Sequence, residues 1–132
     1  MIRLGIDVGG STTKVAAVDE LGTPVGTLQV RAADQLTSLY GAVGRFLQEH
    51  RLPLNVISEI ALTGVGSGFF GSEIYGIPVR KVDEFISIGH GALILTGLKQ
   101  AIAVSVGTGS AFVRISPNGV TRVGGSGVGG GT

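Results

Sequence analysis

Two stretches of the sequence carry residue types that handle phosphate. Asp7-Val8-Gly9-Gly10-Ser11-Thr12, with Lys14 two positions on, joins a carboxylate, two glycines, two hydroxyls and an ammonium around one turn. Ser105-Val106-Gly107-Thr108-Gly109-Ser110 repeats the Val-Gly corner and the small-residue turn 98 positions later, with Asp7 over Ser105. Glycine-rich turns bring successive backbone N–H groups close to an anion, and neighbouring hydroxyls add hydrogen bonds. Two such turns facing each other can clamp one phosphate chain. An aspartate closing the first strand suits magnesium, which takes one or two carboxylates and keeps much of its water. An Asp-x-Gly-Gly alone is equally a plain tight turn; the second copy favours phosphate. The pattern therefore predicts nucleotide contacts from Asp7, Gly9, Gly10, Ser11, Thr12 and Lys14 in the first turn and from Gly107, Thr108 and Gly109 in the second, with Asp7 on the metal. No Gly-x-x-x-x-Gly-Lys-[Ser/Thr] occurs, and Gly125-x-Gly127-x-x-Gly130 has dinucleotide spacing with no acid downstream.

The elements that must position these turns are legible from periodicity. Ile2, Leu4 and Ile6 alternate with Arg3 and Gly5, and Thr13 to Val18 is again extended, so the first turn joins two strands. Gly22-Thr23-Pro24 marks a second turn into a strand over Val25 to Arg31, which predicts an antiparallel meander. Asp34 is a candidate N-cap for a helix in which Leu36, Leu39, Tyr40, Val43, Phe46 and Leu47 recur at helical spacing. A buried strand over Ile57 to Leu62 follows, then a tight loop at Gly64-Val65-Gly66-Ser67-Gly68 and a short strand around Val79 to Val82. Asp83 is placed to cap a helix from Glu84 to about Leu98 that is apolar nearly all round, which predicts burial, and whose Gly89 and Gly91 predict a close neighbour. Strands over Ala101 to Ser105, Ser110 to Ile115 and Val120 to Val123 complete the pattern, the last two joined at Pro117-Asn118-Gly119.

Three strands, a helix and a strand is the order of a ribonuclease-H-like α/β unit. The fold class expected is α/β, a ribonuclease-H-like domain with a mixed sheet over residues 1–98, plus the opening β-hairpin of a second similar domain over 99–132. Because the second copy has so few residues, most of a second domain is expected to lie beyond Thr132. The terminal run of small residues fits a chain that continues into a helix or ligand contact. The 132 residues alone are expected to bind Mg·ATP weakly.

Composition narrows the function classes. Ten basic against nine acidic residues make no field that would recruit nucleic acid, and no run of four or more basic residues appears. Without cysteine there is no disulfide framework, thiolate metal site or iron–sulfur cluster in this stretch. No signal peptide is evident, and the uncharged stretches are 14 residues long against the roughly 20 that a membrane helix needs. A cytoplasmic protein without a membrane span is expected. Glycine is unusually abundant, at 24 of 132 residues against an average of about 7%, as turn and interface positions require.

Gly5-Ile6-Asp7-Val8-Gly9-Gly10-Ser11-Thr12-Thr13-Lys14 resembles the first phosphate motif of the acetate-and-sugar-kinase/actin superfamily, and Ser105 to Phe112 resembles its second. Within that superfamily, three further segments are similar to type II pantothenate kinases in order and spacing. They are Val82-Asp83-Glu84-Phe85 before an apolar helix, Val106-Gly107-Thr108-Gly109-Ser110, and Arg122 to Thr132. The resemblance spans the chain and covers the amino-terminal half of such an enzyme. It implies ATP- and Mg²⁺-dependent phosphorylation of pantothenate to 4'-phosphopantothenate, the first step of coenzyme A biosynthesis. It also implies a homodimer when full-length and acyl-coenzyme A as a possible regulator.

Carried over by position, Glu84 matches the catalytic carboxylate that accepts the proton of the pantothenate hydroxyl, and Arg122, Ser110 and Gly125 fall on the substrate side. The residues themselves leave alternatives open. Glu84 is also an ordinary first-turn glutamate favoured by the helix dipole, the sequence does not separate it from Asp83, and Arg122 is also a hairpin-edge charge. Where the family commonly has a serine three positions after the Thr108 equivalent, this chain has Ala111, and the neighbouring Ser110 points to the opposite face of its strand. His50 and His90 carry no ligand pattern. Two other classes remain. One is a non-catalytic nucleotide-binding or assembly half that needs a partner chain. The other is a different small-molecule kinase or an acyl-coenzyme A dehydratase activator ATPase of the same superfamily, the last of which depends on cysteines absent here.

Overall fold

The computed structural model describes residues 1–107 and 109–126, with the backbone alone at 126. It divides into two compact units, Met1–Val82 and Asp83–Thr132. The sequence repeat restarts at a different point, between residues 98 and 99. The two divisions measure different things, since one marks where a pattern begins again and the other what packs together.

In the first unit, β1 (Ile2–Val8), β2 (Thr12–Asp19) and β3 (Pro24–Arg31) form the expected antiparallel meander. Helix α1 (Gln35–Glu49) carries the chain back, so that β4 (Ile57–Thr63) pairs parallel with β1. Then β5 (Glu73–Ile74) and β6 (Ile77–Lys81) extend a mixed sheet of order β3-β2-β1-β4-β6-β5. Two-residue β5 has no signal of its own in the sequence. It exists because Tyr75 and Gly76 both take positive φ, 55° and 76°, and fold Ile74 back onto Ile77.

The alternation in β1 does what it predicts. Ile2, Leu4, Ile6 and Val8 are buried while Arg3 and Gly5 are exposed, and on α1 the residues Leu39, Ala42, Val43, Phe46 and Leu47 are buried with them in one core. Each large side chain removed from water in this way contributes about 1.5–3 kcal/mol. Asp34 precedes α1 in extended conformation and its carbonyl accepts from the Ser38 N–H, but its carboxylate makes no bond to the first-turn amides. The Thr37 hydroxyl donates to Asp34 Oδ2 instead and takes the carboxylate away from the cap. The pairing registers put the C-terminal ends of β1 and β4, the start of β2 and the end of β3 on one edge of the sheet. Residues 9–11, 32–34 and 64–69 therefore gather there.

The second unit holds α2 (Glu84–Thr96) and an antiparallel sheet of β7 (Ala101–Val106), β8 (Ser110–Ser116) and β9 (Gly119–Ser126) in that order. Gly97, at φ 70°, stops α2 by donating its N–H to Leu93 O, short of the expected Leu98. A Cβ on Gly89 would stand 2.8 Å from the Val120 side chain and 3.3 Å from that of Ile115, so the close neighbour predicted there is this sheet, whereas a Cβ on Gly91 meets nothing within 4 Å and the expectation fails at that position. The burial expected for α2 does not hold within the described residues. Only Gly89 is buried, and Ile94 and Leu95 are 79% and 85% exposed. A three-stranded sheet covers one side of a helix, and a helix apolar all round leaves the other side bare. No helix among the described residues is long and apolar enough to cross a membrane.

Candidate functional site

The first turn is built by β1 and β2 pairing up to Val8 and Thr13, which leaves Gly9, Gly10, Ser11 and Thr12 to reverse the chain. Gly9 donates its N–H to Thr12 O at 2.9 Å, and a Cβ there would stand 2.8 Å from the same oxygen, so the reversal requires glycine. With the Gly9 amide spent inside the turn, its part in the predicted cradle is steric. A Cβ on Gly10 meets nothing within 4 Å. Open space of about 410 Å³ borders Gly10, Gln35 and Phe69, enough for a small ligand beside the turn.

Three supports under the turn were not anticipated from the sequence. Gln35 Nε2 donates to Gly9 O at 2.9 Å, tying the first residue of α1 to the turn. Gly64, at φ 97°, lies so close to the end of β1 that a Cβ would stand 2.4 Å from Val8 O and 2.5 Å from Asp7 Oδ1. Gly66 packs likewise on Val8 and Gln35. The Gly64 to Gly68 loop is conspicuous in the sequence, but nothing local says what it lies against.

Asp7 closes β1 beside the turn, and its two oxygens have different surroundings. Oδ1 is buried with no hydrogen-bond partner, while Oδ2 lies 3.4 Å from Lys14 Nζ. The side chain is 33% exposed, which with Oδ1 buried leaves Oδ2 to the open side. One half-exposed carboxylate fits magnesium bound largely through its own waters, and among the described residues no group of three or more acidic or histidine side chains offers a full cage.

In the second unit the β7–β8 turn has the same Val-Gly corner but is one residue shorter. Val106 pairs with Ser110, and Gly107 donates its N–H to Gly109 O at 2.8 Å. Thr108 lies outside the described residues, as do 127–132. At the start of α2 the structure separates the two acids that the sequence leaves level. Asp83 Oδ1 accepts from the N–H groups of Phe85 and Ile86 at 2.9 and 3.0 Å, so Asp83 is the cap and Glu84 the first-turn residue. Replacing Asp83 with Ala is expected to cost about 0.5–2 kcal/mol of stability, read from a denaturant midpoint, and an unchanged midpoint would contradict the capping role.

Residues 37 positions apart in sequence also meet here. The Arg122 guanidinium carbon sits 4.6 Å from the centroid of the Phe85 ring, next in sequence to Glu84. Gly125 makes room for Arg122, since a Cβ there would stand 2.4 Å from Nη2 and 3.0 Å from Ser110 O. Ser110, Arg122 and Gly125, which the resemblance puts on the substrate, thus form one cluster. Ala111 pairs with Gly125 across the β8–β9 ladder. His50 is occupied structurally, with Nδ1 2.9 Å from Phe46 O and its ring stacked on Phe46.

No family model and no curated protein matches the chain. Solved structures do. The activator of the 2-hydroxyisocaproyl-CoA dehydratase from Clostridium difficile, with ADPNP bound, superposes with a TM-score of 0.78 at 13% identity over 95% of this chain and 44% of that one. Component A of the (R)-2-hydroxyglutaryl-CoA dehydratase of Acidaminococcus fermentans gives 0.76 at 17% over 92% and 45%. The fold is that of the actin-like ATPases. A protein described as an N-acetylglucosamine kinase from Chromobacterium violaceum shares it at 0.64, with 21% identity over 92% of this chain and 47% of that one. The chain spans less than half the length of each of these three structures. The actin-like fold accounts for the mixed sheet and for the chain reversal after β1.

Proposed function

We propose that this chain contributes the first phosphate turn, the catalytic carboxylate and part of the acceptor site of an ATP-dependent kinase whose acceptor is pantothenate. The observation that carries this is the approach of Arg122 to Phe85, beside Glu84. Two residues that the family resemblance assigns to the acceptor and to proton abstraction are brought to one helix end, and Gly125 leaves the room that Arg122 occupies. Kinases and an ADPNP-bound activator share the fold, which supports nucleotide as the phosphoryl source.

Phosphoryl transfer asks a protein mainly for alignment and charge compensation. Glu84 would take the proton of the attacking pantothenate hydroxyl, and Arg122 would orient the acceptor. Gly10, Ser11, Thr12 and Lys14 would contact phosphates from the first turn, and Thr108 and Gly109 from the second. Asp7 would hold magnesium, which when bound neutralises charge on the phosphates. The homodimer and the acyl-coenzyme A response belong to the same proposal.

The test is ATP-dependent formation of 4'-phosphopantothenate by the full-length gene product, followed by mass spectrometry of the product with N-acetylglucosamine and other hydroxyl acceptors in parallel. Phosphorylation of pantothenate above the other acceptors is the expected result. Transfer to a sugar alone would move the assignment to another kinase, and ATP hydrolysis with no acceptor phosphorylated would favour an activator-type ATPase.

A further inference from the structure

Asp7 and Lys14 are register partners on β1 and β2, and their side chains meet on the solvent side of the ladder, with Nζ 3.4 Å from Oδ2. The same ammonium lies over the turn, 3.8 Å from where a Gly9 Cβ would stand. Since Oδ1 is buried without a partner, the outward oxygen is the one open to a hydrated ion, and a cation of the protein's own already stands at it. An exposed pair such as this one, with side chains 49% and 33% exposed, shifts an equilibrium by no more than about fivefold. It is therefore readily opened by a better anion.

We propose that Lys14 is an internal counter-cation that keeps the Asp7 carboxylate closed to a divalent metal until nucleotide phosphates draw the ammonium away, so that metal and nucleotide enter together. The inference rests on the kinase assignment of the first turn. A divalent ion at Asp7 Oδ2 would stand within a few ångströms of the ammonium and be repelled by it, whereas a triphosphate offers Lys14 several oxygens and removes the repulsion. Linkage then requires that whatever nucleotide adds to metal affinity, metal adds equally to nucleotide affinity.

The experiment uses Mn²⁺ as the probe, its free fraction followed by electron paramagnetic resonance, on the full-length gene product with and without ADPNP. Lys14→Met is expected to tighten Mn²⁺ binding without nucleotide by about fivefold and to weaken metal-free ADPNP binding by a similar factor. Lys14→Arg, which keeps the charge, is expected to stay within twofold of the parent in both. Arg3→Met, an equal loss of charge at the far end of β1, is expected to change neither. Among the described residues no cluster of three or more acidic or histidine side chains offers the ion another site. If the parent binds Mn²⁺ with ADPNP but Lys14→Met gains nothing for Mn²⁺ alone, the counter-cation role is overturned and the kinase assignment stands. If Asp7→Asn leaves Mn²⁺·ADPNP binding intact, the assignment of Asp7 falls and this inference with it.

Discussion

Glu84→Gln is expected to lower turnover with pantothenate by about 10²- to 10⁴-fold while leaving ATP affinity within twofold. The exchange keeps the shape of the side chain and removes its capacity to take the proton of the attacking hydroxyl. It leaves the start of α2 in place, because the two amides there are held by Asp83 and not by Glu84. Loss of a first-turn negative charge removes about 0.3–1 kcal/mol of interaction with the helix dipole. Steady-state kinetics beside a nucleotide titration decide it. Turnover retained within tenfold would remove Glu84 from the chemistry, and a fall in ATP affinity as large as the fall in turnover would make it a binding residue.

The ability to state that experiment for one acid and not its neighbour comes from the structure. In the sequence, Asp83 and Glu84 are two carboxylates before a helix, and either satisfies the pattern of cap or first-turn acid. What distinguishes them is a pair of hydrogen bonds that needs an extended backbone at Asp83 and helical backbone at Glu84. By contrast, β1 and α1 were legible because burial follows a period that the side chains themselves display. Ile2, Leu4 and Ile6 announce a sheet face, and Leu39, Val43 and Phe46 announce a helix face, whatever else surrounds them. Helix α2 has no such period, so its apolar content predicts contact on all sides, while the described sheet supplies contact on one. The supports of the first turn were illegible for a different reason. Gln35 acts from the start of α1 on a residue 26 positions away, and Gly64 acts on residues more than 50 positions away through a parallel pairing of β4 with β1, and no local pattern encodes either contact. The doubled Val-Gly turn is the exception among long-range features, since a repeat can be seen without knowing the fold.

Gly64→Ala is expected to destabilise the first unit by about 2–6 kcal/mol and to weaken metal and nucleotide binding in whatever fraction stays folded. Two effects add. At φ 97° and ψ 168° the residue occupies a region essentially reserved for glycine, which costs an L side chain about 1–3 kcal/mol. The new methyl would also stand 2.4 Å from Val8 O and 2.5 Å from Asp7 Oδ1. A flexible side chain could swing away from such a contact, but Val8 O belongs to the backbone of β1, which is held on both sides by β2 and β4. Relief must come from moving β4 or the end of β1, and either shift carries Asp7 and the turn with it. Gly68→Ala is the internal control. It lies in the same loop, has no positive φ and nothing within 4 Å of the new methyl, so its midpoint is expected within about 0.5 kcal/mol of the parent. Denaturant unfolding of both variants, with Mn²⁺·ADPNP titrations on the folded protein, measures the two consequences separately. A Gly64→Ala midpoint equal to the parent's would mean that β1 and β4 are not packed as closely as their contact at Gly64 requires. A lost midpoint with unchanged Mn²⁺·ADPNP affinity would separate the stability of that contact from the placement of Asp7, and leave the loop as scaffold alone.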